Sequence, residues 1–368
     1  MHYHIILTET CNSKCRYCYQ KSFQEFDNEL DKKFRFNFNS PEKFDIDIDR
    51  LKSFIEKDNE AVIIFYGGEP LLEIDKIKEI IDRIRVPYRM QTNGKLLDKL
   101  PTKYLKQIGK ILVSIDGDKT RTDYNKGEGT YDKVINNIKH IRSKAYKGEI
   151  IARMTVSDFP DIYEQVVHLV NTGLFNSVHW QLDAGFFKFD FDKKRFETFV
   201  YEYNKSLSKL IDFWLNNMKR GKVLKIYPFI GIMDSLLKCE KTQLRCGAGY
   251  KGYAITTNGD IVACPIMNNI EDFKAGTLDT NPNNLKKFRV SGTCLKCDVF
   301  DKCGGRCLYA NKAKLWPIEG QNLICKTVKH LIAEMKRAKP KIEKLIKEGK
   351  IKESDFEYEK YFGPEIIP

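Results

Sequence analysis

The stretch that decides the fold is residues 4–18, HIILTETCNSKCRYC, in which a short apolar run leads directly into three cysteines. Cys11, Cys15 and Cys18 stand in a Cys-x3-Cys-x2-Cys array. Three thiolates can hold three irons of a 4Fe–4S cluster, which leaves the fourth iron without a protein ligand and open to chemistry. A zinc site is the alternative, but zinc usually takes paired Cys-x2-Cys units or Cys and His pairs, which this spacing fits poorly.

The composition limits the class of protein and the kinds of partner that can be expected. The 368 residues suffice for two domains, and 42% hydrophobic with 31% charged residues describes an ordinary globular protein. No stretch approaches the ~20 consecutive apolar residues that span a bilayer, and the N-terminus leaves no room for a signal peptide. We therefore expect a cytoplasmic protein with no membrane partner. The net charge of +13 is spread over the helices without an arginine-rich stripe, so we expect no nucleic-acid partner either.

The eleven cysteines need an explanation of their own. An odd number argues against a complete disulfide framework, and a reducing compartment disfavours disulfides in general. Metal or cluster ligation explains them better.

Up to about residue 185, short apolar runs alternate with segments of helical periodicity, which predicts parallel βαβ units. Residues 192–237 look helical, and a basic helical tail is predicted from about Thr327, broken near Pro340. Two polar-aromatic loops, 19–44 and 184–196, are candidate lids or plain surface loops. The predicted strands are His4–Leu7, Val62–Tyr66, Tyr88–Thr92, Ile111–Ile115, Ile150–Val156 and Ser177–Leu182.

Polar motifs follow three of these strands. The second strand leads into Tyr66-Gly67-Gly68-Glu69-Pro70, where glycines let the backbone approach a ligand and a carboxylate can accept hydrogen bonds from an ammonium group. The third ends in Gln91-Thr92-Asn93-Gly94, for which a helix N-cap turn is an equal alternative. The fourth ends in Val113-Ser114-Ile115-Asp116-Gly117.

The cysteine array, with Tyr17 just before its last member, resembles the signature of the radical S-adenosylmethionine (SAM) enzymes. This resemblance implies an α/β fold, a TIM-like partial (β/α)6 barrel, with its chemistry at the C-terminal ends of the strands. It also implies that SAM binds the open iron through its amino and carboxylate groups. The reduced cluster would then split a carbon–sulfur bond of SAM to give a 5′-deoxyadenosyl radical.

The same resemblance implies roles for the strand-end motifs. Gly-Gly-Glu-Pro would receive the SAM amino group, Thr-Asn-Gly would lie near the adenosyl moiety, and the serine of Ser-x-Asp-Gly would help to hold the carboxylate or ribose. The residues expected to bind SAM are Tyr17, Gly67, Gly68, Glu69, Thr92, Asn93, Ser114, Asp116, Lys126 and Arg153.

Lys126 marks a departure from the family pattern. Relatives usually carry His-Asp-x-x-Arg here, with the arginine on the SAM carboxylate, whereas this chain reads Thr122-Asp123-Tyr124-Asn125-Lys126. A lysine supplies charge but not the bidentate fork of an arginine. Arg153, on the fifth strand, is the alternative clamp.

A second cysteine-rich region begins at Cys239 and resembles the SPASM extension, found on radical SAM enzymes that mostly act on peptides and proteins. It implies two auxiliary 4Fe–4S clusters, which together with the first use all eleven cysteines. The first auxiliary set is Cys239, Cys246, Cys264 and Cys307. The second is Cys294, Cys297, Cys303 and Cys325. Two alternatives stay open: a zinc site at Cys294, Cys297, Cys303 and Cys307, and a Cys239 that is only an apolar residue.

These resemblances predict four domains: a partial barrel at 1–190, a bridging helical segment at 191–237, a SPASM domain at 238–330 and a basic helical tail at 331–368. The expected protein is a radical SAM oxidoreductase that abstracts hydrogen from a peptide or protein, giving a crosslink, thioether or oxidised side chain. Pro265 stands where sulfatase-maturating relatives carry an acidic base, which disfavours formylglycine formation. The alternative is small-molecule biosynthesis on a porphyrin or redox-cofactor precursor.

Two protein partners are expected besides the substrate. One is an external electron donor of the flavodoxin or ferredoxin kind. The chain begins ten residues before its first cluster ligand and shows no N-terminal leader-recognition domain. A separate leader-recognition protein, the basic tail or direct docking would therefore engage a peptide leader.

Overall fold

A computed structural model describes residues 1–18, 30–363 and 367–368 of the chain. The predicted alternation of strands and helices is confirmed over the first 185 residues. The strands in the described ranges are β1 (His2–Ile6), β2 (Val62–Tyr66), β3 (Tyr88–Thr92), β4 (Ile108–Ser114), β5 (Glu149–Val156), β6 (Ser177–Leu182), β7 (Lys225–Ile226), β8 (Gly252–Ile255), β9 (Asp260–Val262) and β10 (Lys274–Thr277).

The helices follow the apolar periodicity of the sequence; in the helix that begins at Ile48, for instance, all four apolar residues are buried. The α-helices in the described ranges are α1 (Ile48–Ile55), α2 (Ile74–Arg83), α3 (Thr102–Leu105), α4 (Lys119–Lys126), α5 (Thr130–Ser143), α6 (Ile162–Asn171), α7 (Lys193–Lys219), α8 (Tyr227–Leu237), α9 (Phe300–Cys303), α10 (Leu308–Ala313) and α11 (Ile318–Lys347). In these ranges no helix is long and apolar enough to cross a membrane.

The bounds of β2, β3 and β6 are those predicted, while β1 begins two residues earlier than expected. The polar residue His2 belongs to β1 because the backbone there pairs on both sides, with Val62 of β2 and with Gly252 of β8. Ladder pairing, unlike hydropathy, does not distinguish a polar residue from an apolar one.

The chain folds as two compact units, Met1–Ala152 with Gly247–Arg289, and Arg153–Cys246 with Val290–Pro368. The domain boundaries predicted at 190, 237 and 330 stay predictions. In the first unit the strand order is β10-β9-β8-β1-β2-β3-β4. Because β1, β2, β3 and β4 are mutually parallel, their carboxyl ends meet at one edge of the sheet, and the strand-end motifs meet there as well.

In the second unit β6 pairs in parallel with β7, and α7 packs against both α6 and α11. The segment 192–237, predicted to be helical, contains α7 and α8 separated by the short strand β7. The centre of this unit is aromatic: Trp180 of β6 is fully buried, packs edge-on against Phe229, and donates its indole N–H to Tyr203 Oη at 2.7 Å.

The predicted break near Pro340 is wrong. One helix, α11, runs from Ile318 to Lys347 with Pro340 inside it. An internal proline costs a helix about 3 kcal/mol or more, because it removes one hydrogen bond and crowds the preceding turn. Buried apolar residues continue on both sides of it, Met335 before and Ile342 after, so the packed face of the helix persists through the proline.

One of the two candidate lids is described in full. In the segment 184–196, Phe186 stacks on Tyr309 and the carbonyl of Phe187 accepts a hydrogen bond from Trp316 Nε1 at 2.7 Å, so its first part is packed into the second unit. Phe189 is 64% exposed and is the part of this loop that solvent reaches most easily. In the other candidate lid, residues 19–29 lie outside the described residues.

Candidate functional site

The Gly-Gly-Glu-Pro turn is joined to the segment that precedes the cysteines. Gly68 N donates to Thr8 O at 2.8 Å, and Glu69 N donates to Thr10 O at 2.9 Å. A Cβ on Gly67 or Gly68 would lie only 2.3 Å from the carbonyl oxygen of Thr8 or Thr10, respectively. The two glycines were expected to let the backbone approach a ligand. In the structure they let it approach the extension of β1, which fixes where the cysteine loop begins.

Substituting Gly68→Ala tests this close approach. The added Cβ would push against the backbone of Thr10, one residue before Cys11, so we expect a loss of about 1–3 kcal/mol in the free energy of unfolding. We also expect less iron bound per chain. Urea unfolding and iron analysis measure the two effects. The control is Gly129→Ala, which is strained by a positive φ of 74° but whose Cβ meets nothing within 4 Å; it should keep its iron, and equal iron loss in both variants would contradict this role for Gly68.

Glu69 ties the second strand to the third. Its side chain is 0% exposed, and it accepts hydrogen bonds from Thr92 Oγ1 at 2.7 Å, Asn93 N at 2.7 Å and Leu71 N at 3.0 Å. Burial raises the pKa of this carboxyl above its usual value, and the three hydrogen bonds and the charge of Lys95 oppose the rise. A carboxylate has about four lone-pair positions, so these donors hold it in one orientation.

Thr92 and Asn93 also cap the turn that follows them. Thr92 Oγ1 accepts from Gly94 N at 3.0 Å, and Asn93 Oδ1 accepts from Lys95 N at 2.9 Å. These bonds brace a turn and do not cap a helix, because the next helical turn, Leu97–Lys99, begins after Leu96 without a side-chain cap. They coexist with the hydrogen bonds to Glu69, which use the Thr92 hydroxyl hydrogen and the backbone N–H of Asn93.

Asn93 extends the same network to the cysteine loop. Its Nδ2 donates to Asn12 Oδ1 at 2.6 Å and lies 3.8 Å from Cys11 Sγ. Burial raises the pKa of the Cys11 thiol, the N–H of Ser13 opposes that rise, and the neighbouring charges of Glu69 and Cys15 add to it. Cys11 and Cys15 are thus close enough to interact electrostatically.

The loop between Cys11 and Cys18 has features that suit a 4Fe–4S cluster. All three thiols are half-buried, and Ser13 Oγ is buried without a hydrogen-bond partner in the part of the chain that the structure describes. Hydrogen bonds to sulfur are a common way to tune such clusters, and this hydroxyl is available for one. Among the described residues no three His, Cys, Asp or Glu side chains are spaced for a single metal ion. A cluster needs a wider spacing, because each thiolate binds a different iron.

Asp116 interacts with polar side chains of the cysteine loop and of α4. Its Oδ2 accepts from Tyr17 Oη at 2.6 Å and from Asn125 Nδ2 at 3.0 Å. Lys126 Nζ lies 3.9 Å from the same oxygen. Ser114, the last residue of β4, is half-buried. Of the ten residues predicted to bind SAM, nine therefore belong to the first unit, in or next to one sheet edge.

Arg153, the tenth, belongs to the second unit. One guanidinium N–H donates to His179 Nδ1, and Nη2 donates to Gln181 Oε1 at 2.8 Å. A guanidinium only donates, so Nδ1 of His179 is unprotonated and Nε2 carries the ring proton. Sequence reasoning missed both partners. The signal in the sequence was that His179 and Gln181 are two residues apart in one strand, which places both side chains on the same face of β6.

Four cysteines of the second region interact within the second unit. Burial raises the pKa of Cys303 to about 11, and the charges of Cys325 and Cys294 add to the rise. Burial also raises the pKa of Cys325, with Cys294 and Cys297 adding to it. Asn311 Nδ2 lies 3.5 Å from Cys294 Sγ. These are the four cysteines that the resemblance assigned to the second auxiliary cluster.

The remaining cysteines divide between the units. Cys239, Cys246 and Cys307 belong to the second unit, whereas Cys264 directly follows β9 in the first. Cys239 is exposed and has a positive φ of 56°, so the alternative that it is only a buried apolar residue is wrong. The ammonium of Lys302 interacts electrostatically with Cys239 and donates to the carbonyls of Ser235 at 2.9 Å and Glu240 at 2.6 Å.

Comparison with known proteins finds a family match in the first part of the chain. Residues 5–170 match the model of the radical SAM superfamily. The chain is 24% identical over 339 residues to a radical SAM cyclopropyl synthase, TigE, of Paramaledivibacter caminithermalis, covering 84% of this chain and 68% of that protein. It is 23% identical over 345 residues to a cysteine-type anaerobic sulfatase-maturating enzyme of Clostridium perfringens, covering 83% and 87%. A Fe-coproporphyrin III synthase of Methanosarcina barkeri is 31% identical over 168 residues, 43% of this chain and 39% of that protein.

Solved structures show the same fold. The structure of anSMEcpe with bound AdoMet and the Cp18Cys peptide superposes with a TM-score of 0.69 at 18% identity, covering 94% of this chain and 99% of that chain. Streptococcus suis SuiB bound to its precursor peptide SuiA gives 0.55 at 15% identity, covering 84% and 72%. The predicted fold class, an α/β partial barrel followed by a helical C-terminal region, is confirmed.

Proposed function

Because residues 5–170 match the model of the radical SAM superfamily, we propose that this chain is a radical SAM enzyme that uses SAM to modify a side chain of a peptide or protein. The observation that carries the proposal is the continuous polar network at the sheet edge. Glu69 binds Thr92 and Asn93, and Asn93 reaches Asn12 and the sulfur of Cys11. One network thus joins the proposed SAM-binding motifs to the proposed cluster ligands.

Cys11, Cys15 and Cys18 would hold the cluster, which when bound supplies the electron that cleaves SAM. The chain's own residues would position SAM beside this cluster. The backbone of Gly67 and Gly68 is partly exposed and is the part of the motif that an incoming ammonium can touch. The next residue, Glu69, is fully buried, so its negative charge acts on that ammonium at short range with little screening. Arg153, the alternative clamp, is itself held by His179 and Gln181.

The substrate class is supported by what similar proteins bind. The compared structures contain peptides, Cp18Cys with anSMEcpe and SuiA with SuiB. Pro265 in place of an acidic residue after Cys264 argues against formylglycine as the product. A crosslink, thioether or other oxidised side chain is the proposed outcome. A flavodoxin- or ferredoxin-like protein would supply the electron, and a separate recognition protein would bind the peptide leader.

Isotope transfer tests this function. A short cysteine-bearing peptide would be prepared with deuterated side chains and incubated anaerobically with enzyme, SAM and dithionite. Deuterium in 5′-deoxyadenosine, together with a peptide mass lower by two hydrogens, is the expected result. Transfer of deuterium from a porphyrin precursor, with none from any peptide, would favour the small-molecule alternative. The partial match to the coproporphyrin synthase is the observation that supports this alternative.

We also propose two auxiliary clusters, and the electrostatic interactions among Cys294, Cys297, Cys303 and Cys325 support the second of them. Replacing Cys325 by Ala separates this proposal from the zinc alternative, whose ligands would include Cys307 instead. Reconstituted protein should carry about twelve irons per chain, since three 4Fe–4S clusters are involved. A variant with both Cys303 and Cys325 replaced by Ala should carry about four fewer, because only two thiolates of the second set remain. Zinc that survives in Cys325→Ala but is lost in Cys307→Ala would contradict the cluster assignment.

A further inference from the structure

The cysteine loop is attached to the last turn of α4 by two consecutive residues. Arg16 N donates to Asn125 O at 2.9 Å, and Arg16 Nε donates to Tyr124 O at 2.8 Å. Tyr17 then donates its hydroxyl to Asp116 at 2.6 Å. Both residues lie between Cys15 and Cys18. The position of the last cysteine therefore depends on what holds Arg16 and Tyr17.

Lys126 is part of what holds Tyr17. The side chain of Lys126 is 4% exposed and that of Asp116 is 0% exposed, with 3.9 Å between Nζ and Oδ2. The same Nζ lies 4.9 Å from the centroid of the Tyr17 ring, within the range of a cation–π interaction. One lysine thus contacts both members of the Tyr17–Asp116 hydrogen bond.

Burial of this pair restricts what else Lys126 can do. Breaking a buried ion pair by removing one partner costs about 3–5 kcal/mol, because it leaves an uncompensated charge. A Lys126 that turned toward a SAM carboxylate would give up both its contact with Asp116 and its position over the Tyr17 ring.

We propose that Lys126 is a positioning residue that acts through Asp116 and Tyr17 to fix the loop of Cys15 and Cys18, and that it does not pair with the SAM carboxylate. The proposal rests on the proposed function, since it assumes that the loop holds a cluster. It also explains the departure from the family pattern. A compact ammonium fits a buried position beside one oxygen of Asp116, whereas an arginine fork calls for two acceptors and more room.

The test is the electron paramagnetic resonance spectrum of the reduced cluster, recorded without SAM. A residue that touches only SAM cannot change this spectrum, whereas a residue that positions the loop can. We expect Lys126→Met to shift the g-values without SAM and to lower kcat more than it raises KM for SAM. Lys126→Arg should not restore the wild-type spectrum. The reverse result, a wild-type spectrum with a KM at least tenfold higher and rescue by Lys126→Arg, would overturn the proposal.

Tyr17→Phe keeps the test decisive if Lys126→Met does not fold. It leaves both buried charges in place and removes only the hydroxyl that binds Asp116. The same kind of spectral shift is expected, and a wild-type spectrum would overturn the proposal. Lys119→Met is the matched control, because Lys119 lies on the same helix but is exposed and paired with Asp132. If wild-type protein itself shows no cluster signal, the proposed function fails first, which separates the two failures.

Discussion

Replacing Cys11, Cys15 and Cys18 together by Ala is expected to abolish formation of 5′-deoxyadenosine from SAM. The electron for cleavage comes from a cluster that these three thiolates hold, and no other group in the proposed mechanism supplies it. The measurement is chromatographic detection of 5′-deoxyadenosine after anaerobic reduction with dithionite. Iron analysis of the same sample should show about four irons fewer per chain, corresponding to one 4Fe–4S cluster.

The control for this prediction is Lys14→Ala, in the same loop. Lys14 is exposed and is not one of the proposed ligands, so this variant should form 5′-deoxyadenosine at the wild-type rate. It tests whether any disturbance of the loop is enough to stop the reaction. Undiminished 5′-deoxyadenosine in the triple cysteine variant would contradict the assignment of the cluster to this array.

The substitution Glu69→Gln is expected to raise KM for SAM by roughly 10–100-fold, since losing the attraction of a nearby buried opposite charge costs about 1.4–2.8 kcal/mol. Gln removes the buried negative charge. Its amide NH2 also faces the N–H of Asn93, which now donates to the Glu69 carboxylate at 2.7 Å. Initial rates of 5′-deoxyadenosine formation at varied SAM concentration measure the change. Glu73→Gln is the matched control, because Glu73 ends the same turn and pairs with Lys43 at the surface.

The pH dependence of KM gives Glu69 a second signature. Burial raises the pKa of this carboxyl, so as pH falls it takes up a proton earlier than an ordinary glutamate does. The ammonium of SAM loses its negative partner in the same step. KM should therefore rise as pH falls. The rise should begin at a pH above the range in which an ordinary glutamate titrates, and it should be absent from Glu69→Gln. An identical pH profile in wild type and variant would contradict the role of Glu69.

Much of the site could be predicted because its signals are local in sequence. A cluster loop needs its cysteines within a few residues, and each strand-end motif follows directly on an apolar run. Parallel pairing of β1 to β4 then brings the motifs together without further information. The cysteines of the second region from Cys294 to Cys307 are also close in sequence, whereas Cys325 lies apart from them on α11.

What could not be predicted depends on neighbours that are distant in sequence. Gly67 and Gly68 read as residues that approach a ligand, but what they approach is the backbone of Thr8 and Thr10, some sixty residues away. Lys126 reads as a substitute for an arginine, but its partner is a buried carboxylate. Pro340 reads as a helix end, yet the packing of α11 overrides the local preference.

The most direct test of the account is anaerobic incubation of the iron-loaded, reduced protein with SAM alone. The account predicts that methionine and 5′-deoxyadenosine appear in equal amounts, because each electron transferred cleaves one molecule of SAM and the radical formed then takes one hydrogen atom from protein, buffer or reductant. Protein that carries its full complement of iron and sulfide, is reduced, and still releases neither product would contradict it.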